Sequence, residues 1–194
     1  TPLIEYVAST KKPMIISTGL ANEEEIQQAI DAARAGGCRE LAILHCVSGY
    51  PAPSDNYNLK TVSNMIERYG CVTGLSDHTL SNNTAIASLS LGGCIIEKHF
   101  TCDRSAGGPD DSFSMEPSDL VNLVNSAEEV FRALGEVDYG LKSSEIGNIK
   151  FRRSLYFLKD LPVIPSDLKK TDLILQFFLF FCLDLYLNTI LFLK

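Results

Sequence analysis

Two short stretches set imidazoles among carboxylates at alternating spacing: Ser76-Asp77-His78-Thr79 and Glu97-Lys98-His99-Phe100-Thr101. In an extended strand, residues i and i+2 share a face. Ser76 would therefore point with His78, and Glu97 with His99. Two imidazoles with carboxylates nearby form a donor set suited to Mn2+, Fe2+ or Zn2+. Either histidine alone fits a hydrogen-bonded strand end. The metal reading comes from the equivalent placement of two of the chain's three histidines. His45 has the opposite parity to Cys46 and Ser48 and reads as structural. Two further stretches end in hydroxyls, Ser17-Thr18-Gly19 and Cys46-Val47-Ser48-Gly49-Tyr50-Pro51. Ser17 and Ser48 suit an anion held by hydroxyl hydrogen bonds, or simply turns. Tyr50 suits the wall of a sugar site or plain packing. Asp110, in Gly107-Gly108-Pro109-Asp110-Asp111, reads either as a carboxylate over the site or as part of a solvated turn.

These groups need a scaffold that brings them together. Four nearly continuous apolar runs, at 14–18, 41–47, 71–75 and 94–100, read as buried parallel strands. Helical periods separate them. Asn22 caps the first helix ahead of three glutamates, Ile26, Ala29, Ile30 and Ala33 form its apolar face, and Gly36-Gly37 ends it. The second, 58–69, shows Leu59, Val62, Met65 and Ile66 on one side. The third spans 83–91. The fourth spans 118–134, with Leu120, Leu123, Val124, Ala127, Val130, Phe131 and Leu134 expected inward. Four strand–helix units indicate a parallel α/β protein, either an open doubly wound sheet or half of a (β/α)8 barrel. In both, ligands bind at the carboxyl ends of the strands, where all four polar clusters fall.

Composition narrows the partners. A formal net charge of −7 argues against a broad nucleic-acid surface. The six cysteines form no C-x-x-C pair and mostly sit in apolar runs, which reads as a reducing, cytoplasmic setting. Residues 136–149 read as a linker and 150–172 as the start of another unit. Residues 173–194 form an apolar tail, in which Gln176, Asp184 and Asn188 argue against a membrane anchor; a non-native end is the favoured reading. Thr1-Pro2-Leu3 reads as the interior of a longer chain.

The same residues carry a family resemblance. Lys12-Pro13-Met14-Ile15-Ile16-Ser17-Thr18-Gly19, His45-Cys46-Val47-Ser48-Gly49-Tyr50-Pro51-Ala52-Pro53, Gly74-Leu75-Ser76-Asp77-His78-Thr79-Leu80 and Ile96-Glu97-Lys98-His99-Phe100-Thr101 resemble strands 5–8 of the sialic-acid (nonulosonic acid) synthases. Gly108-Pro109-Asp110 and Ser114-Met115-Glu116-Pro117 resemble the segment that follows. The resemblance implies the second half of a (β/α)8 TIM barrel (residues 1–135). After the linker it implies the truncated start of an antifreeze-like (SAF) domain, signalled by Phe151-Arg152-Arg153-Ser154-Leu155-Tyr156.

By position, the resemblance makes His78 and His99 metal ligands. It places Ser17, Ser48 and Ser76 near phosphoenolpyruvate, and Tyr50 and Asp110 around the amino sugar. His99, Glu97 and Asp110 become the catalytic candidates. Ser48 with Asp111-Ser112-Phe113-Ser114 leans toward the pseudaminate group. The implied reaction joins phosphoenolpyruvate to an N-acetylated amino-sugar aldehyde, N-acetylmannosamine or a diacetamido-trideoxyhexose. A divalent metal, Mn2+ before Mg2+ or Co2+, polarises the aldehyde; water adds at C2 and phosphate leaves. The family's homodimer, first four strands, lysines and partner-donated arginine lie outside this sequence. Two other readings remain: an inactive partial chain, or another phosphoenolpyruvate-condensing or aldolase-type barrel.

Overall fold

Asn22 closes the start of its helix as the sequence leads one to expect. Its side chain accepts from Glu25 N at 3.0 Å while its own N–H donates to Glu25 Oε2 at 2.8 Å, a capping box opening α2, Glu23–Ala35. The computed structural model describes residues 2–152. Around α2 run α1 (Pro2–Ser9), β1 (Met14–Ser17), β2 (Leu41–Cys46), α3 (Lys60–Tyr69), β3 (Val72–Ser76), α4 (Asn83–Ser90), β4 (Ile96–Glu97) and α5 (Pro117–Leu134). α3 ends at Gly70, whose left-handed φ of 58° lets the chain turn directly into β3.

The four strands form one parallel sheet in the order β1-β2-β3-β4. An open doubly wound sheet reverses its strand order at a switch point. This sheet has no reversal, and its helices pack on one face. On that face Ala8, Met14, Ile30, Ala33, Leu41, Ile43 and Met65 share a core, and Tyr57, Val62 and Leu75 form a second cluster. The opposite, concave face leaves Ile15 59% and Val72 53% exposed. The arrangement is a parallel half-barrel.

Gly74 sets the spacing between β3 and β4. A Cβ there would lie 2.3 Å from Ile95 O and 2.8 Å from Leu44 Cδ2. The carbonyl is backbone and also accepts Leu75 N at 2.8 Å, so it has little room to retreat. Gly74→Ala is expected to destabilise the chain by about 2–3 kcal/mol, read as a lower urea midpoint at unchanged slope. A midpoint within error of the parent would show that the two strands separate freely.

Two expectations need correction, and one element was not expected. The run at 94–100 pairs as a strand only over Ile96–Glu97, because the following backbone turns to another partner: Met115 N donates to His99 O and Thr101 N to Met115 O. Of the α5 residues expected inward, only Leu123 is buried, while Leu120, Val124, Phe131 and Leu134 are exposed. Helical period identifies an apolar stripe, but burial also needs a neighbour, and among the described elements α5 has its main one in α4. The sequence also gave no sign of α1, whose Ala8 packs so close to Gly36 that a Cβ there would meet it at 2.6 Å.

The chain divides into a unit of residues 1–138 and a second beginning at Tyr139. In the second, successive 3-10 turns run from Ser143 to Phe151, overlapping the stretch read as a linker. Beyond Arg152, the rest of the stretch 150–172 expected to begin an antifreeze-like domain, and the apolar tail 173–194, lie outside the described residues. No helix among the described residues is long and apolar enough to cross a membrane. The five described cysteines are free thiols.

Candidate active site

At the carboxyl end of β3 the chain reaches Ser76, Asp77, His78 and Thr79, all buried. The alternation expected of a strand persists through them. Ser76 Oγ donates to Glu97 Oε1 at 2.7 Å, and the His78 and His99 rings stand 5.2 Å apart between centroids at 64°. The two neighbouring strand ends therefore place both carboxyl-side imidazoles together, with the serine and glutamate beside them.

Each imidazole is oriented through Nδ1. His78 Nδ1 lies 2.8 Å from Val47 O. A carbonyl only accepts, so that nitrogen carries the proton and Nε2 keeps its lone pair. His99 Nδ1 lies 3.4 Å from Asp110 Oδ2, which places the loop carboxylate against the second ring. Tyr50 covers the pair, with centroids 4.4 Å from His78 and 5.6 Å from His99. Phe113 packs beside Tyr50 against the second ring, 5.1 Å from His99 and 5.8 Å from Tyr50. The Tyr50-Pro51 peptide is cis. The loop bearing Asp110 and Phe113 is tied down by Arg104, which donates to Ser114 O at 2.7 Å and pairs with Asp119 and Glu116 at the start of α5.

Behind the histidines, on the opposite parity, lies an ion pair that residue type alone did not reveal. Lys98 Nζ sits 2.8 Å from Asp77 Oδ2, with side-chain exposures of 5% and 0%. Lys98 also donates to Thr79 O at 2.8 Å and Ser81 O at 3.1 Å, and Thr79 N donates to Asp77 Oδ1 at 2.9 Å. All three lysine protons and both carboxylate oxygens are thus used. The pair joins the residue before His78 to the residue before His99.

Tyr57 is the other participant that the sequence hid. Its side chain is fully buried; its hydroxyl accepts His78 N at 2.7 Å and donates to Ser76 O at 3.3 Å. Burial pushes the phenol up to about 12, against the hydrogen bond from His78, so it remains a donor at ordinary pH. His45 is structural: its Nε2 lies 2.6 Å from Tyr57 O.

The structure thus brings together His78, His99, Tyr50, Asp110, Ser76 and Glu97. Ser17 ends β1, and Ser48 follows β2 close to Gly19, where a Cβ would meet its hydroxyl at 3.3 Å. These two serines occupy the β1–β2 side of the rim, and neither hydroxyl bonds to the histidines. Among the described residues no group of three or more His, Cys, Asp or Glu is disposed to hold an ion. The histidine pair is a two-nitrogen set.

Residues 1–139 match the NeuB family. The chain is 36% identical to the N,N'-diacetyllegionaminic acid synthase of Campylobacter jejuni, over 82% of this chain and 49% of that protein. It is also 36% identical to the pseudaminic acid synthase of Helicobacter pylori, over 82% of this chain and 47% of that one. Among solved structures, the N-acetylneuraminic acid (sialic acid) synthetase of Leptospira borgpetersenii, in complex with citrate, superposes with a TM-score of 0.69 at 32% identity. That match covers 79% of this chain and 54% of the synthetase. The chain spans about half the length of these relatives.

Proposed function

This chain belongs to the NeuB family, and on that premise we propose that its rim serves a nonulosonic acid synthase. The reaction would join phosphoenolpyruvate to an N-acetylated amino-sugar aldehyde, N-acetylmannosamine or a diacetamido-trideoxyhexose. A C–C bond forms between the methylene carbon of phosphoenolpyruvate and the aldehyde carbon. Water adds at C2, and the C2–O bond to phosphate breaks. The observation that carries this reading is the pair of adjacent imidazoles, edge-on with centroids 5.2 Å apart, each engaged through Nδ1.

The donor chemistry fits a divalent metal, Mn2+ before Mg2+ or Co2+. His78 offers Nε2 with Nδ1 committed to a carbonyl, and Asp110 beside His99 Nδ1 favours the same orientation for the second ring. Two nitrogens leave further positions for water and substrate oxygens. A bound ion would act as a Lewis acid at the aldehyde oxygen. Glu97 Oε1 is occupied by Ser76, so Oε2 is the atom free to hold a proton from the added water. Tyr50 and Phe113 exclude water from one side of the imidazoles and present an apolar wall to the acetamido sugar. Ser17 and Ser48 offer hydroxyls to the phosphate or carboxylate of phosphoenolpyruvate. The only lysine at the histidine strand ends, Lys98, is consumed by its ion pair. The anion's charge would therefore be met by the ion and by cations outside the described residues. A cytoplasmic homodimer is part of the same proposal.

Phosphate release from phosphoenolpyruvate, with Mn2+ and a panel of acetamido sugars, tests the reading. The assay would use this chain and the polypeptide extended upstream to the length of its relatives. Release that requires one sugar supports the reading and identifies the substrate; no release with any sugar, from a folded extended protein, would reject it. Exposure of Ile15 and Val72 on the concave face favours activity only in the extended form.

A further inference from the structure

We infer that Tyr57 is a positioning residue whose hydroxyl replaces the Val47 peptide in the β2–β3 ladder and so frees the Val47 carbonyl to hold the His78 ring. The register runs from Ala42↔Val72 to Cys46↔Ser76, so the next pair would be Val47↔Asp77. In a parallel ladder Val47 N–H would donate to Ser76 O, and Val47 O would accept from His78 N. Tyr57 Oη fills both positions, accepting His78 N at 2.7 Å and donating to Ser76 O at 3.3 Å. A phenol can do so because it carries one donor and free lone pairs. Val47 O accepts instead from His78 Nδ1 at 2.8 Å and from Gly49 N at 2.9 Å.

The substitution solves a local conflict. Strand β2 must leave the sheet at Val47 to carry Ser48 and Tyr50 to the rim. Leaving would strip partners from two backbone groups of residues that are only 1% (Ser76) and 6% (His78) exposed, an expensive loss in a buried setting. Tyr57 restores both bonds from the turn before α3, anchored by His45 Nε2 on its own carbonyl at 2.6 Å and by an edge-on ring contact. The released carbonyl then fixes the Nδ1–H tautomer of His78 and points the Nε2 lone pair away from the core.

The functional meaning of this arrangement rests on the synthase reading, but the tautomer does not. Long-range 1H–15N spectra of the metal-free chain, without substrate, read it directly. The unsubstituted chain is expected to show His78 protonated at Nδ1, with a through-space contact between the Tyr57 hydroxyl proton and the His78 amide proton. Tyr57→Phe is expected to raise the Nε2–H share about fivefold, the population ratio that one hydrogen bond of ordinary net strength is worth. A residue that merely filled space would leave the tautomer alone. An Nε2–H ring or a missing contact in the unsubstituted chain overturns the inference whether or not the variant folds; so does a folded Tyr57→Phe chain with an unchanged tautomer. None of these results bears on phosphate release, so the inference and the synthase reading fail separately.

Discussion

Alanine at His78 or His99 is expected to lower sugar-dependent phosphate release in the extended polypeptide about 10³-fold, the rate equivalent of roughly 4 kcal/mol of lost electrophilic stabilisation. The double replacement should be little worse than either single one. The two rings stand edge-on with centroids 5.2 Å apart, so on the synthase reading one ion would draw on both and removing either would disable the set. Groups that act as a unit give non-additive losses. Mn2+ binding, followed by its paramagnetic signal, should fall in parallel for both variants. Losses that multiply in the double variant would mean that each ring touches substrate on its own account, and the shared-ion reading would be wrong.

Lys98→Met is expected to destabilise the chain by about 3–5 kcal/mol, because it strands the Asp77 carboxylate in a site closed to water. Asp77→Leu should be similarly damaging. Combining them is expected to recover at least about 1 kcal/mol, since removing both charges removes the uncompensated one. Recovery should be incomplete, because in the double variant Thr79 N loses its bond to Asp77, and Thr79 O and Ser81 O lose theirs from Lys98. Urea denaturation of the four chains gives the coupling through a double-mutant cycle. Additive losses would show that the two side chains support the rim independently.

Much of the scaffold is legible in the sequence because period and parity are local properties. Capping at Asn22, the helix end at Gly36, and the shared faces of Ser76 with His78 and of Glu97 with His99 all follow from spacing alone, whereas the bond from Ser76 to Glu97 needs the register between strands. What stayed hidden depends on contacts distant in sequence. Asp77 and Lys98 sit between the site residues, and parity says only that they face away, not that they face each other. Tyr57 follows a 3-10 turn, Ser54–Asn56, ahead of α3, outside any periodic stretch, and its partners lie 19 to 21 residues away. Phe113 ends a single 3-10 turn, Asp111–Phe113, held beside the Arg104 clamp and outside any stretch whose period the sequence displays. The exposed stripe of α5 errs the other way, since an apolar face announces a neighbour that these residues do not supply.

The alternation at the strand ends has a practical use. Ser76, His78, Glu97 and His99 share one side of the strand ends, the side proposed to face the substrates, while Asp77 and Lys98, one residue out of step, fasten the two strands from behind. A directed-evolution library can therefore randomise Ser76 together with Glu97, as a coupled pair, and leave the fastening untouched. Selection would then sample new proton donors and acceptors on an unchanged frame, so this rim is a place where altered chemistry and retained foldability can be inherited together.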